Sequence, residues 1–110
     1  MAELSAYRAM WLFCMFDLPT KTKTERRTYT RFRKKLMSIG FDMMQYSVYV
    51  KHCGSVQGAD TAERLVREII PQKGLVDVLR VTDKQFGRLR RYVGRKREKP
   101  PEPAHQLTLF

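Results

Sequence analysis

The side chains of this sequence most able to do chemistry are its cations and a single well-placed carboxylate. Lys and Arg number 22 against 11 Asp and Glu, a net charge of +11. Residues 21–35 hold eight of the cations (Lys21, Lys23, Arg26, Arg27, Arg31, Arg33, Lys34, Lys35) against Glu25. Residues 84–99 hold another eight (Lys84, Arg88, Arg90, Arg91, Arg95, Lys96, Arg97, Lys99) against Glu98. So basic a domain repels itself, and a polyanion, nucleic acid or an anionic membrane, is the simplest partner to offset that. Guanidinium groups suit bidentate contacts with phosphate. The asymmetry persists over the whole chain, which favours a phosphate-binding surface over two solvated faces.

Asp17 is the acid that stands apart. It ends the most apolar segment, Met10–Phe16, so its carboxylate is expected at the rim of a buried sheet, although periodicity alone slightly favours a turn residue capping the strand before Pro19. One carboxylate does not make a nuclease site. Two copies of Asp17 facing each other across a dimer axis, with waters and a phosphate oxygen, would hold Mg²⁺ or Mn²⁺, one ion per dimer. That ion would activate water for attack on a phosphodiester. With no dedicated general base beside it, weak catalysis or none is expected. The sequence has no Gly-rich phosphate loop, no paired CxxC and no Ser-His-Asp arrangement. His52 adjoins Cys53, but neighbours in a strand point to opposite faces, so both read as structural. Cys14 and Cys53 lie in apolar surroundings and fit buried thiols in a reducing cytoplasm.

These groups must be positioned by elements that 110 residues can build as one domain. The longest apolar run is too short to span a bilayer and lacks a signal-peptide pattern, so a cytoplasmic protein is expected. Met10–Phe16 reads as a strand buried on both faces. Thr22-Lys-Thr-Glu25 has capping-box spacing. Tyr29, Phe32, Leu36 and Ile39 follow at helical spacing, and Gly40 is placed to end the helix in a left-handed turn. Arg27, Arg31, Lys34 and Lys35 fall on another face of that helix; with Arg26 they are the expected nucleic-acid contacts. Phe41–Cys53 reads as two short strands or one bent one, with Tyr46, Val48 and Val50 alternating against Ser47, Tyr49 and Lys51. Gly54–Gly58 reads as a turn or loop, Asp60–Ile70 as a helix closed by Pro71, and Leu75–Val81 as a strand. Arg91–Val93 is expected to add a short edge strand.

The order implies an α+β, ferredoxin-like βαββαβ sandwich, with helices on one face of an antiparallel sheet. The first strand is apolar on both faces, so a second copy of the sheet is expected to cover the other in a two-fold homodimer. Residues 1–97 form this domain. Residues 98–110 read as a Pro-rich tether with His105 in solvent, ending in a docking peptide whose apolar contacts would be Leu107, Leu109 and Phe110. Pairing of that tip with this chain's own sheet edge, or that of its dimer mate, is the alternative.

Phe16-Asp-Leu-Pro19, the basic helix ending in Gly40, and Gln45-Tyr-Ser-Val-Tyr49 together resemble the CRISPR-associated protein 2 family; Val81-Thr-Asp-Lys-Gln-Phe86 looks like its variants in type II systems. The resemblance runs from Met10 to Val93. It implies a homodimer acting in spacer acquisition, which bridges two dimers of the CRISPR integrase and holds duplex DNA on its basic face. It also implies a metal-dependent endonuclease acting on RNA or DNA, single-stranded RNA included, with Asp17 matching the acid that serves as metal ligand. Phe16 stands where the family often has Tyr, so any role of that hydroxyl is lost here. Arg26 and Arg27 match arginines early in the family's first helix. The scaffold role ranks first and the nuclease second. Gln106-Leu-Thr-Leu-Phe110 also resembles peptides that bind the bacterial replication sliding clamp, but integrase docking is preferred because the family's C-terminal segments commonly dock there. Since fold alone does not assign function, a toxin-type ribonuclease or a nucleic-acid-binding regulator outside a CRISPR locus is the alternative reading.

Overall fold

A computed structural model describes residues 9–94. The elements are β1 (Met10–Asp17), α1 (Lys23–Ile39), β2 (Asp42–Gln45), β3 (Val48–Cys53), α2 (Val56–Ile69), β4 (Leu75–Thr82) and a short α3 (Asp83–Phe86). The four strands form one sheet in the order β2-β3-β1-β4, with every neighbouring pair antiparallel. This is the expected ferredoxin-like arrangement, with β1 at the centre between β3 and β4.

Strand alternation divides β1 between two environments. Leu12, Cys14 and Phe16 turn toward the helices and are buried against Phe32 and Leu36 of α1 and Ala59, Ala62 and Val66 of α2. The Phe16 ring meets Phe32 edge-on with centroids 5.0 Å apart and tilts against Tyr49 at 5.6 Å. Burial of each such side chain contributes about 1.5–3 kcal/mol. Both cysteines belong to this core. Desolvation pushes the Cys14 thiol up to about 12, and burial raises Cys53 against the opposing charges of Lys51 and Arg80.

Trp11, Phe13 and Met15 point to the opposite face, which is helix-free but for the short α3. The Trp11 end of that face is covered by α3, where Phe86 stacks on Trp11 at 3.8 Å and 5° and the indole Nε1 donates to Asp83 Oδ1 at 2.7 Å. Phe86 and Val50 are buried there, with Phe13, Met44, Val81 and Leu89 packed around them. Toward the other end the face is open, with Leu75 67 % and Leu79 50 % exposed.

The helix ends follow local chemistry. At α1, Thr22 Oγ1 accepts from the Glu25 amide at 3.1 Å while Glu25 Oε1 accepts from the Thr22 amide at 3.0 Å, the capping box read from the sequence. Gly40 ends the helix with φ 113°. Three expectations need correction. The Gly54–Gly58 stretch is not a loop throughout, because Ser55 Oγ caps the Gly58 amide at 3.0 Å and starts α2 at Val56. Tyr46 and Ser47, expected within the strand alternation, form a turn between β2 and β3, and the Tyr49 and Cys53 side of β3 faces the helices. Arg91–Val93 adds no strand; α3, anchored by Phe86 on Trp11, interposes a helical turn where a continuing strand would need an extended path.

Two outcomes test this packing. Neither cysteine of the native protein should react with an aromatic disulfide reagent at neutral pH, and both should do so once urea unfolds it, because a thiol buried and held protonated is a poor nucleophile; prompt labelling of the native protein contradicts the core assignment. Thr22→Ala should lower stability by about 1 kcal/mol, read as a lower urea midpoint at unchanged m-value; an unchanged midpoint removes the cap's role.

Candidate nucleic-acid interface

Helix α1 sorts its residues by turn. Tyr29, Phe32, Leu36 and Ile39 contribute to the core or pack against it, and the positions between them carry the charge. Lys23, Arg26, Arg27, Arg31, Lys34 and Lys35 line one shallow concavity on the outer side, with the hydroxyls of Thr30 and Ser38 among them. All five expected contacts are therefore brought together, joined by Lys23. The only acid of this helix, Glu25, is engaged in the cap, where its carboxyl is held below the usual range chiefly by the Thr22 amide. Among the described residues, ion pairs join Arg64 to Glu68 and Arg80 to Asp60 and Glu63, and none involves α1.

The six cations are not equivalent. Arg26 donates through Nη1 to the carbonyls of Thr20 at 3.2 Å and Lys21 at 2.9 Å, so part of its hydrogen-bonding capacity fixes the loop that enters the helix. Arg27, Arg31, Lys34 and Lys35 are exposed and carry the charge outward. Arg33 departs from this face. It is half-buried and stands beside the Tyr49 hydroxyl, whose pKa is raised by burial and drawn back down by that guanidinium. Its position four residues after Tyr29 was the available signal that it belongs to the inner stripe.

Asp17 lies at the end of β1, paired with Leu75 of β4. Alternation puts Phe16 in the core and Asp17 on the helix-free face with Phe13 and Met15. Within the single chain its side chain is exposed rather than sheltered at a buried rim. The strand end is packed tightly on its backbone side: a Cβ on Gly74, at φ 99°, would lie 2.6 Å from the Asp17 carbonyl oxygen. Asp77, opposite Met15 in the register, is a second carboxylate on the same face that the sequence reading passed over; its period-two spacing from Leu75 was the signal. Among the described residues, no group of three or more His, Cys, Asp or Glu is placed to hold a metal ion. His52 is exposed on the open face, edge-on to Trp11 at 4.9 Å, and Cys53 is in the core, as adjacent strand positions require. Arg95, Lys96, Arg97 and Lys99, the 98–110 tether and Leu107, Leu109 and Phe110 lie outside the described residues. No helix among the described residues is long and apolar enough to cross a membrane.

Relatives place this arrangement. The family model described as CRISPR associated protein Cas2 matches residues 10–89, a span that takes in Asp17, all of α1 and the Trp11–Phe86 stack. The CRISPR-associated endoribonuclease Cas2 of Parvibaculum lavamentivorans is 48% identical over 101 residues, covering 92% of this chain and 100% of its own. Proteins of the same name from Flavobacterium psychrophilum and Paracidovorax avenae are 40% and 42% identical, over 98% and 97% of this chain and 94% and 99% of theirs. The match thus covers the folded core and the element that carries the charge, and this chain belongs to the CRISPR associated protein Cas2 family.

Proposed function

We propose that this protein is a basic homodimer of CRISPR adaptation, which holds duplex DNA against α1 and bridges dimers of the CRISPR integrase. The observation that carries the reading is the outer face of α1, where six cations share one concavity with no acid pairing them among the described residues. Their mutual repulsion is relieved by phosphates, and release of condensed counterions supplies much of the affinity. The helix-free end of the sheet supports the dimer. Phe13, Met15, Leu75 and Leu79 share that face, and the last two are largely exposed. Packing two copies through it leaves both α1 helices on the outside, so both cationic faces remain accessible to DNA. Leu107, Leu109 and Phe110 are the integrase-docking contacts in this reading, and a sliding clamp is the alternative partner.

A second reading, endonuclease, follows from the relatives' name and from Asp17 lying on the face through which two copies would pack. One protomer's described residues do not form a metal set. Two copies of Asp17 would supply hard carboxylate oxygens of the kind Mg²⁺ or Mn²⁺ accepts, and such an ion, when bound, supplies an activated water for phosphodiester attack. The chain's own part is to present those oxygens and to hold the substrate phosphates on its cations, whether the strand is RNA or DNA.

Labelled duplex DNA and single-stranded RNA, incubated with Mg²⁺ or EDTA and with wild type or Asp17→Asn, read binding and cleavage together. Duplex binding should be equal in both proteins and fall with salt at a log–log slope of about −5 for about six neutralised phosphates. Arg27→Glu with Arg31→Glu should weaken it at least ~10-fold and flatten the slope. A salt-independent affinity overturns the scaffold reading. The nuclease reading requires Mg²⁺-dependent cleavage that disappears in Asp17→Asn, and cleavage that survives there rejects it. Leu79→Arg should convert the dimer to a monomer in sedimentation, and an unchanged mass rules out packing through this face.

A further inference from the structure

The tip of the β2–β3 hairpin holds a cluster that the duplex-binding face does not use. Tyr46 and Ser47 make its two-residue turn, and Ser47 has a φ of 65°, a left-handed backbone that a residue with a Cβ adopts only when its surroundings hold it there. Two contacts of Ser47 do so. Its carbonyl accepts from the Phe16 amide at 3.0 Å, and its Oγ hydrogen-bonds the Tyr29 hydroxyl at 2.9 Å. The Tyr29 ring then lies against Tyr46, centroids 5.7 Å apart and planes within 21°. Tyr46 is consequently an oriented ring, although it is 77 % exposed.

Exposure alone would mean little. The second observation lies beneath it. Tyr49 is fully buried, and its hydroxyl makes no hydrogen bond, a rarity for a buried polar atom. Arg33, one turn beyond Tyr29 on the same stripe of α1, stands beside that hydroxyl without reaching hydrogen-bond geometry. A small shift would let Arg33 donate to the Tyr49 oxygen and steady its fork, leaving other N–H groups for a ligand anion. An ordered aromatic ring lying against Tyr29, with a half-buried guanidinium one helical turn beyond Tyr29, matches one kind of ligand, a flat π-system carrying a phosphate.

We propose that the hairpin tip binds a single unpaired nucleotide, with its base stacked on the exposed part of Tyr46 and its phosphate on Arg33. Every base has a π-face, so such a platform tolerates any sequence, and the Arg–phosphate contact is charge-assisted. The proposal rests on the nucleic-acid reading of α1 and extends it from the paired backbone to an unpaired base at a duplex end or junction.

The test measures full-length protein binding, by fluorescence anisotropy, to three DNAs: a blunt duplex, the same duplex with a single-nucleotide overhang, and that overhang made abasic. Wild type should prefer the overhang by about 10-fold, within the range of single base-stacking contacts, and should lose most of that preference when the base is removed. Tyr46→Ala should bind the blunt duplex as wild type does but no longer distinguish the three. Tyr46→Phe, which keeps the ring, should retain the preference; Arg33→Gln should weaken the overhang and its abasic form alike. Blunt-duplex binding with no overhang preference, or a preference unchanged in Tyr46→Ala, overturns this proposal alone. Failure to bind any of the three DNAs overturns the α1 reading along with it.

Discussion

Everything in this molecule is referred to the central strand β1, whose residues alternate between two apolar environments while both of its edges are hydrogen-bonded. Pairing with β3 and β4 along its length leaves β1 no free edge and no freedom to slip. A shift of one residue would exchange Leu12, Cys14 and Phe16 with Trp11, Phe13 and Met15, and with them Asp17. The helices would then face a carboxylate. Register is thus protected by the full cost of the core, and the position of the candidate metal ligand on the helix-free face follows from the same constraint.

The sheet also keeps the two chemical faces apart. Core packing takes one stripe of α1, and whatever cannot pack there is turned outward, so the cations gather because Tyr29, Phe32, Leu36 and Ile39 claim the inside. Glu25, the one acid that could moderate them, is drawn into the cap. On the far side of the sheet, α3 covers only the Trp11 end, leaving the part that bears Asp17, Leu75 and Leu79 for another surface. The face proposed for nucleic acid and the face proposed for a second protomer therefore lie on opposite sides of the sheet. The hairpin tip is a third location, built where the end of β1 grips the Ser47 carbonyl.

Much of this is legible in the chain because it depends on near neighbours. The capping box of Thr22 and Glu25, the left-handed stop at Gly40, and the division of α1 into apolar and cationic stripes are all set by spacings of three or four residues. The alternation of β4 likewise appears residue by residue. Ser55 was harder to read as a cap because Gly54 and Gly58 around it suggest a loop; the hydroxyl contact that overrides them is a single hydrogen bond. Tyr46 and Tyr49 fall in opposite phases of the strand pattern, but it is the turn at Tyr46 and Ser47 that leaves the first in solvent while the second is wholly buried.

The sequence by itself determined the order of elements, the cationic character of α1, and the burial of both thiols, because periodicity and composition act over one or two turns of chain. Tertiary structure alone decided which face of β1 meets the helices and that α3 folds back so that Phe86 stacks on Trp11. Those outcomes join residues far apart in the chain. They are fixed by competition for a limited interior and by the register of a sheet, quantities that no local spacing encodes.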